Sequence, residues 1–556
     1  MLADILIVNA TARTMSDKAP RAEAIAIAAN RIIFVGSMRD SDRFAGPDTR
    51  IIDAGGASVL PGFVEAHMHL FGGSSSLDEL DLQETEGFDA LKAALLEQGQ
   101  SQPDADVIVG RSVNYSILGE GTRPTRQDLD RIISDRPVFL RSGDYHNAWV
   151  NTAALEMAGV LKGHDVGPGS EIVVGEDGLA TGELQEFAAM QHVLSRLTPP
   201  GRESLGLAGT EPEDLSNEER QSDIALFKKG LSYCASLGIT TIQNMDGNLY
   251  QCELLQELEE AGELKCRVEV PYHFLPSEPV ENIENAHAMA QQYNSDMLWS
   301  GRVKMFMDGV LDAWTAVMVD DYADRQGERG TPLFTAEQFN AVSTEADRKG
   351  LQISVHAIGD GAVRMTLDGY EAAATANGKR DARHRIEHIE VVHPADIDRF
   401  KEFGVIASMQ PIHAPGNGCF PKEPTVHMIG EARWPYAYAW RTLKDAGAEV
   451  VFATDWPVSP LDPLLSIKHA MLREPWSEND PDQRLTMAET LAAYTSVGAY
   501  TCFKEDRFGK LEEGMLADIV ILDGELPEDP DGSSAWPHVR MTLCDGRITY
   551  EAGASS

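Results

Sequence analysis

Eight short apolar runs, most of them followed by an amphipathic stretch, constrain this chain more than any other feature. They lie at 59–66, 239–245, 266–272, 302–307, 351–357, 384–391, 404–410 and 449–454. The stretch Pro394 to Phe403 is typical of the intervening segments, with apolar residues at helical spacing. Strands that alternate with helical crossovers predict an α/β chain, a (β/α)8 TIM barrel over 59–502. The first and second runs are roughly 170 residues apart, far more than a crossover needs. An inserted subdomain over 75–220 is therefore expected after barrel strand 1. Its own strands are expected at 107–110 and 137–141, its helices near 125–134 and 149–158, and a Gly-rich hairpin around 167–183. Because the insertion leaves from the C-terminal mouth, it is placed to act as a lid.

The two ends of the chain differ from the middle. Ile5 to Val8, Ala24 to Ile27 and Arg31 to Gly36 read as short strands, and so do Ala517 to Asp523 and Val539 to Leu543. Gly, Asp and Asn punctuate both ends. Residues 1–58 and 503–556 are expected to pair into one composite β-sandwich.

Composition limits the function classes. The chain has 556 residues, is 43% apolar and carries 88 acidic against 47 basic residues, a formal charge of −41. A field of that sign disfavours nucleic acid and anionic membranes, so neither is expected as a partner. The six cysteines are scattered without a CxxC pair, and the start has no basic leader. A reduced, cytoplasmic protein is the expectation, and a homodimer is compatible with it.

Within this frame, ligand-type residues fall at strand ends. His67 and His69 lie two apart at the end of the first run, so a strand points both imidazoles to one side. Lys304, His356, His388 and Asp455 end four later runs. Each has an ordinary alternative: Lys304 paired with Asp308, the histidines hydrogen-bonded in the core, Asp455 capping a loop. Together they converge on one mouth, and a buried set of this kind points to metal chemistry. His146 and Trp149 in the insertion, Asp312 and Trp314 after the fourth run, and His413 after the seventh are candidate substrate contacts. Cys419 has no base beside it and is not expected to act as a nucleophile.

The motifs LPGFVEAHMHL, HNAWVNTAAL, VKMFMDG, SVHAIGD, RIEHIE, FATDWPV and GMLADIVILD occur in order along nearly the whole chain. In this the sequence resembles the metal-dependent amidohydrolases, amidohydrolase family 3, in the branch related to N-substituted formamide deformylase. The resemblance implies a hydrolase that cleaves an amide-type, non-peptide carbon–nitrogen bond by metal-activated hydroxide. It implies two zinc ions per chain, one held by His67, His69 and Asp455 and the other by His356 and His388. Lys304 takes the position of a bridging lysine carboxylated by CO2, and Asp455 shuttles the proton. A small-molecule amide is the implied substrate. A deaminase or cyclic-amide hydrolase on the same barrel is the alternative, and a non-catalytic ligand-binding protein a more distant one. One departure stands out: after Asp308-Gly309, where relatives often carry Leu-Gly-Ser-Arg-Thr-Ala, this chain has Val310-Leu311-Asp312-Ala313-Trp314-Thr315-Ala316. Substrate identity therefore does not transfer along that loop.

Overall fold

The structure, a computed structural model, describes residues 1–554 except 78, 104–105, 120, 144–145, 168, 198–210 and 213–214. Parts of the expected insertion, including Pro168 of the hairpin, lie outside the described residues.

The centre of the chain is built from parallel strands: β1 (Phe63–Met68), β2 (Ile239–Asn244), β3 (Arg267–Glu269), β4 (Tyr272–His273), β5 (Arg302–Phe306), β6 (Gln352–Ala357), β7 (Arg385–His388), β8 (Ile406–Met409) and β9 (Glu449–Phe452). One sheet contains β1, β2 and β3, and a second runs β4-β5-β6-β7-β8-β9. The short run 267–273 passes from the first sheet to the second. At the other edge the Asp455 amide donates to the His67 carbonyl (2.9 Å), and the His69 amide donates to the Trp456 carbonyl (2.8 Å). Nearly every residue of these strands is buried, as expected where helices cover a parallel sheet. Their common direction brings all the C-terminal ends to one side, where the loops carry chemistry.

Strands from the two termini lie beside this centre. A four-stranded sheet is wholly N-terminal: Arg31–Gly36, Ala24–Ala28, Ile5–Val8 and Arg50–Asp53. The neighbouring six-stranded sheet mixes both ends. There Ile519–Leu522 pairs antiparallel with Ser58–Pro61 on one side and with Val539–Cys544 on the other. Ile7, Ile25, Ile32 and Ile52 share one apolar core with Ile519, Ile521, Met541 and Leu543.

The expected run 59–66 is in fact two strands. Ser58–Pro61 belongs to the outer sheet and Phe63–Met68 to the centre, with Gly62 between them. Gly62 makes the turn possible by close approach, because a Cβ there would lie 2.2 Å from Thr240 Oγ1.

The segment between β1 and β2 forms its own six-stranded sheet, from Leu80–Asp81 to Ala180–Gln185. The helix expected over 149–158 is corrected: Asn147–Val150 is a strand, and the helix is Thr152–Met157. Asn151 separates them. Its side chain accepts from the Ala154 amide as an N-cap and also from the Val138 amide. Among the described residues, no helix is long and apolar enough to cross a membrane.

Candidate active site

Strand register assembles the site. His273 pairs with Lys304, Phe306 with His356, and Ala357 with His388, so neighbouring strands deliver their polar residues at one level. His67 ends β1, His69 follows it, and Asp455 follows β9.

His67 Nε2 and His69 Nε2 approach the same oxygen, Asp455 Oδ1, at 3.2 Å and 3.4 Å. Carboxylates back the other ring nitrogens. His67 Nδ1 is 2.8 Å from Glu387 Oε2, and His69 Nδ1 is 3.6 Å from Asp246 Oδ1. Acids behind two imidazoles fix which nitrogen faces inward, as acids behind metal-binding histidines do. Arg385 in turn grips both oxygens of Glu387 at 2.8 Å. The His388 ring lies 4.8 Å from that of His67 and 4.5 Å from that of His356, and His388 Nδ1 is 3.0 Å from Gln410 Oε1. His356 Nε2 lies 3.1 Å from the Gly309 carbonyl.

Backbone strain accompanies these positions. His388 (φ 75°), Ile389 (φ 50°) and Asp455 (φ 61°) adopt left-handed conformations that side chains with a Cβ disfavour. At His388 the turn breaks strand alternation. Glu387 and His388, adjacent in sequence, can then both serve the site.

Electrostatics follow from burial. The Lys304 ammonium is pulled down to about 8 by burial. It has no hydrogen-bond partner among the described residues and lies 4.2 Å over the Phe306 ring. The alternative pairing with Asp308 is not seen. That carboxyl instead accepts from the amides of Val317, Ile358 and Gly359. Burial alone would raise Asp455, but the adjacent His67 and His69 hold it well below the usual carboxylate range. Burial lowers His413 to about 4 and raises the Cys419 thiol to about 12, which leaves the latter no thiolate character at neutral pH.

Two groups of ligand-type atoms lie within 4.8 Å of one another: His67, His69 and Asp455, and His388, His413 and Asp455. His413, expected at the substrate, thus sits closer to the ligand-type set than the sequence suggested. His356 belongs to neither group.

Above this set is a cavity of about 770 Å3. His146, Asp312, Trp314 and His413 line it, as do His69, His356, His388 and Asp455. His146 comes from the insertion, and its Nδ1 lies 2.7 Å from Glu186 Oε2, while Glu186 Oε1 accepts from Thr315 Oγ1 at 2.7 Å. This carboxylate therefore joins the insertion to the 308–315 loop.

The structure does not place Trp149 at the cavity. It is wholly buried in the insertion's core with Leu129, Leu140 and Val138, edge-on to Tyr115, and does not line the cavity. Strand 147–150 is buried throughout: Ala148 and Val150 pack in one core of the insertion and Trp149 in the other. Trp149→Ala should therefore cost about 3–5 kcal/mol of stability. The insertion should lose protection in hydrogen exchange while the ranking of substrates stays as in the native enzyme. A changed ranking with native stability would return Trp149 to the substrate site. Sequence reasoning also missed Asp246, His273, Glu387 and Glu390. A strand-end position was the available signal for His273 and Asp246, and i, i+2 alternation with Arg385 for Glu387.

Comparison with known proteins places this geometry. The sequence profile described as the amidohydrolase family matches residues 50–550. Protein LONG AFTER FAR-RED 3 of Arabidopsis thaliana is 30% identical over 94% of this chain and 87% of its own length. The putative amidohydrolase YtcJ of Bacillus subtilis is 28% identical over 97% and 98%. The N-substituted formamide deformylase of Arthrobacter pascens is 24% identical over 99% of each chain. Among solved structures, an uncharacterized metal-dependent hydrolase from Pyrococcus horikoshii superposes with a TM-score of 0.72 at 25% identity, covering 93% of this chain and 97% of that one.

Proposed function

Since the chain belongs to the amidohydrolase family and is a hydrolase of carbon–nitrogen bonds other than peptide bonds, we propose that this mouth hydrolyses an amide-type bond of a small molecule around a divalent metal centre. The supporting observation is a concentration of buried polar atoms without hydrogen-bond partners among the described residues: His67 Nε2, Asp455 Oδ1, Lys304 Nζ and His413 Nε2. Each orphaned atom costs about 1–3 kcal/mol, and a cation among them would offset that cost. The donor set of imidazole and carboxylate suits zinc.

On this reading the two parallel sheets form one (β/α)8 barrel, with the composite sandwich beside it and the insertion over its mouth. His67, His69 and Asp455 would hold one ion, and His356 and His388 would hold a second. Lys304, carboxylated on Nζ, would supply the shared ligand between them. Carboxylation starts from the ammonium: one proton leaves to free the amine, and a second leaves as the N–C bond to CO2 forms. It replaces a buried cation by an anion that offers two oxygens.

When bound, divalent ions supply Lewis acidity and lower the pKa of a water into the neutral range. The protein's own groups do the rest. Glu387 and Asp246 hold the histidines in orientation. The insertion and the 308–315 loop restrict water around the substrate. Asp455 accepts the proton of the attacking water as the oxygen–carbon bond forms. It then passes that proton to the leaving nitrogen as the carbon–nitrogen bond breaks, which avoids expelling an amide anion. The products are a carboxylate and an amine.

Protein purified without chelator should contain about two divalent ions per chain, and Lys304→Ala about one. Hydrolysis of N-acyl amines, formamides, aryl amides and cyclic amides by the loaded enzyme tests the reaction. Under about half an ion per chain, with no activity regained on adding metal, overturns the reading.

A further inference from the structure

Behind the histidines, a layer of buried charge crosses the central strands. Arg302 on β5 donates through Nη2 to Glu269 Oε2 on β3 at 2.6 Å and to Gln243 Oε1 on β2 at 3.1 Å. The same Gln243 oxygen accepts from Arg385 Nη1 on β7. Arg385 grips Glu387 with Nε and Nη2, and Glu387 Oε2 meets His67 Nδ1. Gln243, Arg302, Arg385 and Glu387 are wholly buried, and Glu269 nearly so. Parallel strands of this kind usually pack branched apolar residues between them. Buried ion pairs seldom repay their desolvation, and apolar side chains of similar volume are often as stable or more so. Stability alone therefore does not account for the layer.

The contacts of Arg385 point to a different role. Its Nη2 also donates to the Ala66 carbonyl and to Ser408 Oγ, each at 2.8 Å. Ala66 directly precedes His67, so one guanidinium holds His67 from two directions, by the backbone that enters it and by the acid behind its ring. A two-pronged arginine–carboxylate contact fixes the plane of the acid as well as its position. With that plane fixed, the hydrogen bond at Nδ1 fixes the imidazole and leaves Nε2 toward Asp455 Oδ1, 3.2 Å away. Gln243 Nε2 donates to the Gly498 carbonyl and to Thr501 Oγ1, each at 2.9 Å, which anchors the far side of Arg385. His69 lacks this arrangement. Asp246 stands 3.6 Å from its Nδ1, and no arginine or lysine among the described residues pairs with Asp246.

We propose that Arg385 is a positioning residue for the metal centre: acting through Glu387 and the Ala66 carbonyl, it holds His67 Nε2 in the direction that a divalent ion requires and so sets the affinity for that ion. The inference rests on the divalent-metal reading and deepens it.

The test needs no substrate. Zinc affinity is measured by competition with a chromophoric chelator, coordination by the visible absorption of the cobalt(II)-loaded protein, and stability by denaturation. Arg385→Met should weaken zinc binding by about tenfold to a hundredfold, the usual effect of removing support behind a metal-binding histidine, and should change the cobalt spectrum. Arg385→Lys keeps the charge without the fork and should fall between Arg385→Met and the native protein. The deciding variant combines Arg385→Met with Glu387→Leu, which leaves neither charge buried. Its denaturation midpoint should return toward native, while its zinc affinity and cobalt spectrum stay those of Arg385→Met. Recovery of stability and zinc affinity together, or native zinc affinity in Arg385→Met, overturns the inference and makes the layer purely structural. If neither methionine variant folds, native zinc affinity with a native cobalt spectrum in Arg385→Lys overturns it, and weakened zinc binding with an altered spectrum supports it. A native protein that binds no zinc overturns the metal reading itself, and the inference with it.

Discussion

Asp455→Asn is expected to keep much of its bound metal and to lose about 10²–10⁴-fold in kcat, the usual worth of a positioned proton carrier. The amide retains an oxygen for coordination but cannot accept the proton that hydrolysis must move. Its place in the structure supports this separation of roles. Oδ1 faces His67 and His69, while Oδ2 lies 3.9 Å from His388 Nδ1, so one carboxylate borders both halves of the site. Steady-state kinetics and elemental analysis on the same preparation decide the matter. Native turnover in a fully metallated variant would remove Asp455 from proton transfer. Loss of metal in step with activity would reduce it to a ligand.

Asp518→Ala is expected to destabilise the protein by about 3–5 kcal/mol, although it lies away from the active site. Arg267 on β3 is wholly buried. Its Nε and Nη2 reach the two oxygens of Asp518 at 2.7 Å and 2.9 Å, and Nη2 also reaches Asp545 at 2.9 Å. Asp518 just precedes strand Ile519–Leu522, and its carbonyl accepts from the Gly62 amide at 2.9 Å. The pair thus ties the central sheets to the mixed outer sheet. Removing the acid leaves a guanidinium in the interior with half its partners. Replacing both residues, Arg267→Met with Asp518→Leu, should recover much of the loss, because no charge then remains buried. By contrast, removing Asp482, about half exposed with Arg484, should move the denaturation midpoint far less. A midpoint for Asp518→Ala within about 0.5 kcal/mol of native would show that the interface does not depend on this pair.

These two residues were legible in the sequence to different degrees. Asp455 stands at the end of an apolar run, and its place in FATDWPV marks it. Asp518 stands just before an ordinary strand, and nothing in ADIVILD announces a partner some 250 residues away in the chain. The same contrast runs through the site. His67 and His69 follow from strand alternation, and Lys304 and His356 from apolar runs long enough to name as strands. His388 was found, but its companion Glu387 was not. Alternation assigns adjacent residues to opposite faces, and only the left-handed backbone at His388 lets both serve the site. HNAWVN groups Trp149 with His146 at the mouth, but Trp149 lies on a strand that packs it into the insertion's core. Asn151, a good N-cap, was the signal that the helix begins later.

What the sequence by itself determined is what local periodicity encodes: parallel strands in the middle, short antiparallel strands at the ends, an insertion after the first strand, and polar residues at the strand ends. Periodicity of side chains fixes which face is buried and where an element stops, and ligand-type residues at those stops are visible without a partner. The tertiary structure decided what depends on contacts between distant segments. It divided one apolar run at Gly62, because Thr240 leaves no room there for a Cβ. It set carboxylates behind His67 and His69 and brought His413 beside His388 and Asp455. These groups come from separate loops, and no spacing along the chain records the distance between loops that only packing brings together.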